Sequence, residues 1–206
     1  MIPIAKPYLT EDDARAAYET VLSGWVTQGP RVQEFEEKFA QYTGAKYAVA
    51  VSSCTTALHL AMIVAGIGEG DEVICPSMSY IATANSIKYA GATPVFAEVN
   101  AVYNLDVQDV EKRITHKTKA ILLVHQIGMP ADIEAFQELC RRKNLLLIED
   151  AACAAGSSYK GVRIGAHSDL VCFSFHPRKL IATGDGGMIT AGNEALCQRM
   201  KILRQH

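Results

Sequence analysis

The sequence predicts an α/β fold of three layers, helix on sheet on helix, around a mostly parallel sheet of seven strands. Beyond the first forty or so residues, short β-branched apolar runs alternate with longer segments of helical period, the pattern of successive βαβ units. Several runs are apolar throughout, as strands covered on both faces are. Gly66, Gly91 and Gly128 punctuate the turns between them.

In chain order, Thr10 to Ser23 predicts a helix, because Thr10 stands three residues before Asp13 in a capping-box-like start and Gly24 stops the pattern. Arg31 to Tyr42 carries Val32, Phe35 and Phe39 on one face and ends at Gly44. Strands follow at Tyr47 to Val51, Glu72 to Cys75, Pro94 to Ala97, Ala120 to Val124, Leu145 to Glu149, Leu170 to Ser174 and Gly187 to Thr190. Helices are predicted at Thr55 to Ala65, Ala82 to Tyr89, Asp106 to Ile114, Ala131 to Arg142 and Asn193 to Leu203. There is no internal repeat, low-complexity tract or linker. The pattern stops at Arg204-Gln205-His206 without a polar tail, which suggests a truncated chain.

Composition narrows the function. With 206 residues the chain accommodates one full domain and part of a second. Lys plus Arg is 20 against 22 for Asp plus Glu, a net charge of −2, so no electrostatic footprint exists for nucleic acid or an anionic membrane. A hydrophobic fraction of 49% with 20% charged residues excludes disorder and fibrous repeats. No run approaches the roughly 18 apolar residues of a membrane span, and MIPIAKPYLTEDD lacks the form of a secretion signal, so the cytoplasm is the expected location. The six cysteines, Cys54, Cys75, Cys140, Cys153, Cys172 and Cys197, form no C-x-x-C and have no paired histidines at ligand spacing. No metal site is predicted, and most of these thiols are expected to be buried and reduced.

In an open parallel sheet, ligands bind beyond the carboxyl ends of the strands, and four such places stand out. In VAVSSCTTALHLAM, Ser53, Cys54 and their neighbours open a helix: an N-cap, or an anion cradle at the positive end of the helix dipole. In LLLIEDAACAAG, Asp150 directly follows an apolar strand, so its carboxylate is either a turn cap or a partly desolvated functional group. In VCFSFHPRKLIATGDGGMI, Lys179 lies between apolar segments beside Arg178. Most lysines are solvated, but burial and the Arg178 charge would lower this one's pKa and favour a nucleophilic amine. In PSMSYIATANSI, Tyr80 is core packing or a stacking face. Anion cradle, strand-end acid, sheltered lysine and aromatic plate together are what pyridoxal phosphate requires.

These segments resemble the sugar aminotransferases of the DegT/DnrJ/EryC1/StrS family, fold type I pyridoxal-phosphate enzymes. The likeness runs through GWVTQGPRVQEFEEKFAQYTGAKYAVAVSSCTTALHLA, GDEVICPSMSYIATANSI, GATPVFAEV, IEDAA and SFHPRKLIATGDGGMI. It implies that Lys179 is the amine that condenses with the cofactor and then shuttles a proton, and that Asp150 holds the pyridine nitrogen protonated. It further implies a phosphate cradle at Ser53 and Cys54, a phosphate or ring-hydroxyl contact at Ser174, a stacking ring at Tyr80, and substrate contacts at Trp25 and Thr27, although Trp25 reads equally as a packing anchor. Residues 1–30 would be an N-terminal helix and substrate loop and 31–206 the cofactor-binding large domain, with the C-terminal small domain absent. The implied reaction is transamination of a nucleotide-linked keto sugar in polysaccharide or antibiotic sugar biosynthesis, with glutamate as donor and a homodimer as the working unit.

Two positions depart from the family's pattern: Cys153 stands where Gln is common near the cofactor's ring-hydroxyl edge, and Asp185 stands for Glu between the glycines after the lysine. Two other readings remain. The family's dehydratases use histidine where Lys179 stands, and a regulatory protein on this fold would need no turnover. A truncated chain is expected to hold cofactor yet turn over poorly.

Overall fold

The computed structural model describes residue 2 and residues 5–205; the expectations that rest on Met1, Pro3, Ile4 and His206 lie outside the described residues. Helices α1 (Glu11–Leu22) and α2 (Pro30–Thr43) precede β1 (Tyr47–Val51), α3 (Cys54–Val64), β2 (Glu72–Pro76), α4 (Ile81–Tyr89), β3 (Thr93–Ala97) and α5 (Val107–Arg113). There follow β4 (Thr118–Val124), a 3-10 turn at Gln126–Gly128, α6 (Ile133–Lys143), β5 (Leu146–Asp150), β6 (Ser158–Tyr159), β7 (Val162–Arg163), β8 (Leu170–Ser174), β9 (Gly187–Ala191) and α7 (Glu194–Leu203).

Seven strands form one sheet in the order β1-β9-β8-β5-β4-β2-β3. β9 runs antiparallel to both β1 and β8, and the remaining pairs are parallel. The alternation of side chains along the strands separates two cores. Val49, Val73, Leu122, Ile148, Cys172 and Ile189 face Leu58 and Met62 of α3, Ile87 of α4 and Met200 of α7. Ile74, Ile121, Leu123, Phe173 and Met188 face Phe39 of α2, Val110 of α5 and Ile133, Phe136 and Leu139 of α6. Each large side chain removed from water in these layers contributes roughly 1.5–3 kcal/mol before entropy is counted.

Local signals account for the helix ends. Thr10 caps α1 in a full capping box with Asp13, and Gly44 ends α2 in the left-handed region at φ 78°. Arg204, 9% exposed, pairs with Glu36 of α2 and donates to Ala50 O at 2.9 Å, while the Ala50 amide donates to Glu36 Oε1 at 2.8 Å. That buried network ties α7 to α2 and β1.

Three expectations need correction. Asp150 is the last residue of β5 rather than the first residue after it, because Val124 and Asp150 are still in register across the β4–β5 pair. α6 starts at Ile133, not Ala131, because the Asp132 side chain caps it. The two-residue strands β6 and β7 form a small antiparallel hairpin that the strand pattern did not predict. α1 keeps its predicted length and cap, yet none of its residues is buried.

Candidate active site

Beyond the carboxyl ends of β1, β5 and β8 lies a cleft of about 560 Å³, within the usual range for small-molecule sites. Its lining includes Ser53, Cys54, Tyr80, Asp150, Ser174 and Lys179. Six of the predicted site residues, drawn from four separate segments, therefore meet in one place. Cys153 joins them at the rim, where the Lys179 Nζ lies 3.1 Å from its Sγ.

Ser53 is the N-cap of α3, and its hydroxyl accepts the Thr56 amide at 3.2 Å while its carbonyl accepts the Ala57 amide at 3.0 Å. Capping uses those two donors and leaves the first-turn amides of Cys54 and Thr55, residues that line the cleft, without an intrahelical acceptor. The sheet lets this helix end come close because Gly187 opens β9. A Cβ there would stand 2.5 Å from the Ser53 carbonyl carbon and 2.8 Å from the Cys54 amide nitrogen.

Asp150 is 5% exposed. Its Oδ2 accepts the Thr83 hydroxyl of α4 at 3.1 Å, its Oδ1 accepts the Ala152 amide at 3.1 Å, and the Cys54 Sγ lies 4.0 Å from Oδ1. Burial pushes this carboxyl above the ordinary aspartate value, opposed by the two hydrogen bonds and by the nearby Lys179 charge. Thr83 has no signature in the sequence. A threonine on an otherwise apolar helix face reads as solvent-facing or core-facing with equal ease, and only the α4 position beside β5 reveals it.

Behind Asp150, on the opposite face of the sheet, His125 and Glu149 form a fully buried pair, Nε2 to Oε2 at 2.8 Å. The Ala131 amide donates to His125 Nδ1 at 3.1 Å, so the ring carries its proton on Nε2 and donates it to Glu149. The His125 amide also donates to the Asp150 carbonyl at 3.0 Å, which fixes the backbone that carries the strand-end acid.

Lys179 is half-buried, less enclosed than its apolar flanks suggested, because His176, Arg178 and Leu180 around it are exposed. Ser174 closes the cleft from the end of β8 and is buried, its hydroxyl accepting the His176 amide at 3.4 Å. Tyr80 is 77% exposed at the N-terminal end of α4, so it does not pack in the core. Trp25 and Thr27 do not reach this cleft. They line a neighbouring groove with Val21, Arg31 and Thr183, where the Trp25 indole donates to the Gln28 carbonyl at 2.7 Å and lies against Gly29. Among the described residues, no group of three or more His, Cys, Asp or Glu is placed to hold a metal ion, and no helix is long and apolar enough to cross a membrane.

The donor set fits pyridoxal phosphate on grounds internal to the structure: open amides at a helix start, held close to the sheet by a glycine, and a buried carboxylate within the field of a lysine. Comparison with solved structures places the fold among the fold type I aminotransferases. DesV from S. venezuelae superposes with a TM-score of 0.91 at 43% identity, over 95% of this chain and 53% of that one. The sugar aminotransferase Spr1654 of Streptococcus pneumoniae, described as putative and solved in its PLP form, superposes at 0.94 with 32% identity, over 98% and 57%. More narrowly, the chain belongs to the DegT/DnrJ/EryC1/StrS aminotransferase family, whose profile matches residues 7–206. The family is dependent on pyridoxal phosphate. Among curated proteins, GDP-perosamine synthase of Escherichia coli O157:H7 is 46% identical over 200 residues, 96% of this chain and 55% of that protein. The chain thus spans about half the length of the curated relatives it matches.

Proposed function

We propose that this chain carries the cofactor site of a cytoplasmic, homodimeric, pyridoxal-phosphate-dependent aminotransferase that aminates a nucleotide-linked keto sugar with glutamate as donor. The observation that carries the reading is the convergence, in one cleft, of the buried Asp150 carboxylate, the Lys179 amine and the open N-terminus of α3. When bound, pyridoxal phosphate supplies an electron sink for the pair released when the substrate carbon loses its proton.

Each residue then has a distinct task. The Cys54 and Thr55 amides, with the Ser174 hydroxyl, hold the phosphate. Asp150 would accept a charge-assisted hydrogen bond from the pyridine nitrogen, a class worth about 1.5–3 kcal/mol, and so would keep that nitrogen protonated. Thr83 and Ala152 aim its carboxylate. Lys179 would supply the amine that holds the cofactor and, once free, would move a proton at its Nζ to and from the substrate carbon. Tyr80 offers its exposed ring as a cover, and Cys153 stands at the ring-hydroxyl edge.

The substrate class draws support from the name of the E. coli relative, a GDP-perosamine synthase. Trp25 and Thr27 are assigned to substrate rather than cofactor, since Thr183, on the loop after Lys179, lines the same groove they do. The presence of a lysine at 179 argues against the dehydratase reading. Adding pyridoxal phosphate, reducing with borohydride and mapping the adduct by peptide mass tests the assignment. The expected label is on Lys179 alone, with a visible absorbance band that glutamate bleaches before reduction. A label elsewhere, or none, overturns it.

A further inference from the structure

We propose that Cys153 and Lys179 form a peroxide-triggered sulfur–nitrogen bridge, a reversible modification site at the mouth of the cleft. Three independent features support it. The Lys179 Nζ lies 3.1 Å from the Cys153 Sγ, close enough for a bond to form by side-chain rotation alone. Cys153 is exposed, whereas Cys54, Cys75, Cys140, Cys172 and Cys197 are all buried. Burial pushes the thiols of Cys75 and Cys140 up to about 12 and those of Cys54, Cys172 and Cys197 upward as well, so all five are poor in the reactive thiolate. The nucleophile nearest an oxidised Cys153 is therefore an amine and not a second thiol.

The chemistry balances in two steps. The Cys153 thiolate attacks one oxygen of hydrogen peroxide. The O–O bond breaks, the sulfur is oxidised by two electrons to a sulfenic acid, and the departing hydroxide takes up a proton as water. The neutral amine of Lys179 then attacks the sulfenic sulfur: the S–N bond forms, the S–O bond breaks, and the hydroxide released removes the amine proton as a second water. A dithiol reverses the bridge, its two thiols becoming a disulfide while Cys153 and Lys179 recover their hydrogens. The consequence for function rests on the proposed role of Lys179: a bridged amine cannot take cofactor.

The test treats the cofactor-free chain with one equivalent of hydrogen peroxide and maps the peptides by mass. The expected product is the Cys153 peptide joined to the Lys179 peptide, about 2 Da lighter than their sum and separated again by dithiothreitol. Lys179→Arg should leave a Cys153 sulfenic acid that dimedone traps, and Cys153→Ser should abolish the link. If unmutated chain instead gives dimedone-trapped or over-oxidised Cys153 with Lys179 free, the bridge is refuted, whatever the function. Loading with pyridoxal phosphate before the peroxide should suppress the link. A link that forms undiminished in loaded protein refutes Lys179 as the cofactor amine while leaving the bridge intact.

Discussion

Asp150 carries a charge that the folded chain disfavours. Burial raises its pKa above the ordinary 3.8, outweighing the hydrogen bonds from Ala152 and Thr83 and the Lys179 charge that pull the other way. A folded pKa above the unfolded one contributes stability that is complete below the unfolded value and lost as pH rises through the folded value. At neutral pH the carboxylate therefore costs stability that only a cationic partner such as a protonated pyridine ring can return. Asp150→Asn removes the charge, keeps the Ala152 amide bond at its one carbonyl oxygen, and can hold Thr83 only with the direction reversed, its Nδ2 donating to the threonine hydroxyl. Its melting temperature in cofactor-free protein should equal or exceed that of the parent at pH 7, with the advantage shrinking toward pH 4, and calorimetry across that range checks it. The same variant should lose most of its cofactor absorbance. The meeting of Lys179, Asp150 and Ser53 was legible in the sequence because each lies at, or within a few residues of, the carboxyl end of a strand, whereas Thr83, His125 and Glu149 acquire meaning only from neighbours distant in the chain.

Among the elements, α3 and β9 depend on each other through one missing side chain. Gly187→Ala places a Cβ 2.5 Å from the backbone of Ser53, and backbone cannot step aside as a flexible side chain would. Overpacking of this kind costs about 1–3 kcal/mol. The displaced helix end should also weaken pyridoxal phosphate binding more than it lowers the melting temperature would suggest, which a fluorescence titration of folded variant measures. Strand and helix positions were mostly readable because the two hydrophobic periods differ so clearly. The direction of β9 was also within reach: only irregular chain joins β8 to β9, and a parallel crossover needs a helix or comparable span. The β6–β7 hairpin was not, since two-residue strands are too short to show a period.

For the molecule as a whole, apolar side chains crowd the surface around the cleft and along α1. Tyr80, Ile81 and Leu180 are exposed beside it, Val21 and Leu22 are exposed on α1, and Ile127 is 82% exposed. Ile127 also sits at φ 53°, ψ 26°, a left-handed conformation that a β-branched residue adopts only under external constraint. Exposure and strain in one residue suit a surface completed by a second copy of the chain. Sedimentation velocity at micromolar concentration should therefore show a species of twice the monomer mass, with Ile127→Asp shifting the population to monomer. A parent chain that is monomeric throughout would contradict the proposed homodimer. The arrangement of the sheet has one more consequence. Its first strand lies beside its last, and the glycine of the last opens the gap into which the helix after the first must settle. A chain emerging from the ribosome can form β1 to β5 before β9 exists, but the anion cradle proposed at the start of α3 cannot close until Gly187 has been synthesised, so ligand capture there follows the pairing of the other strands and cannot guide it.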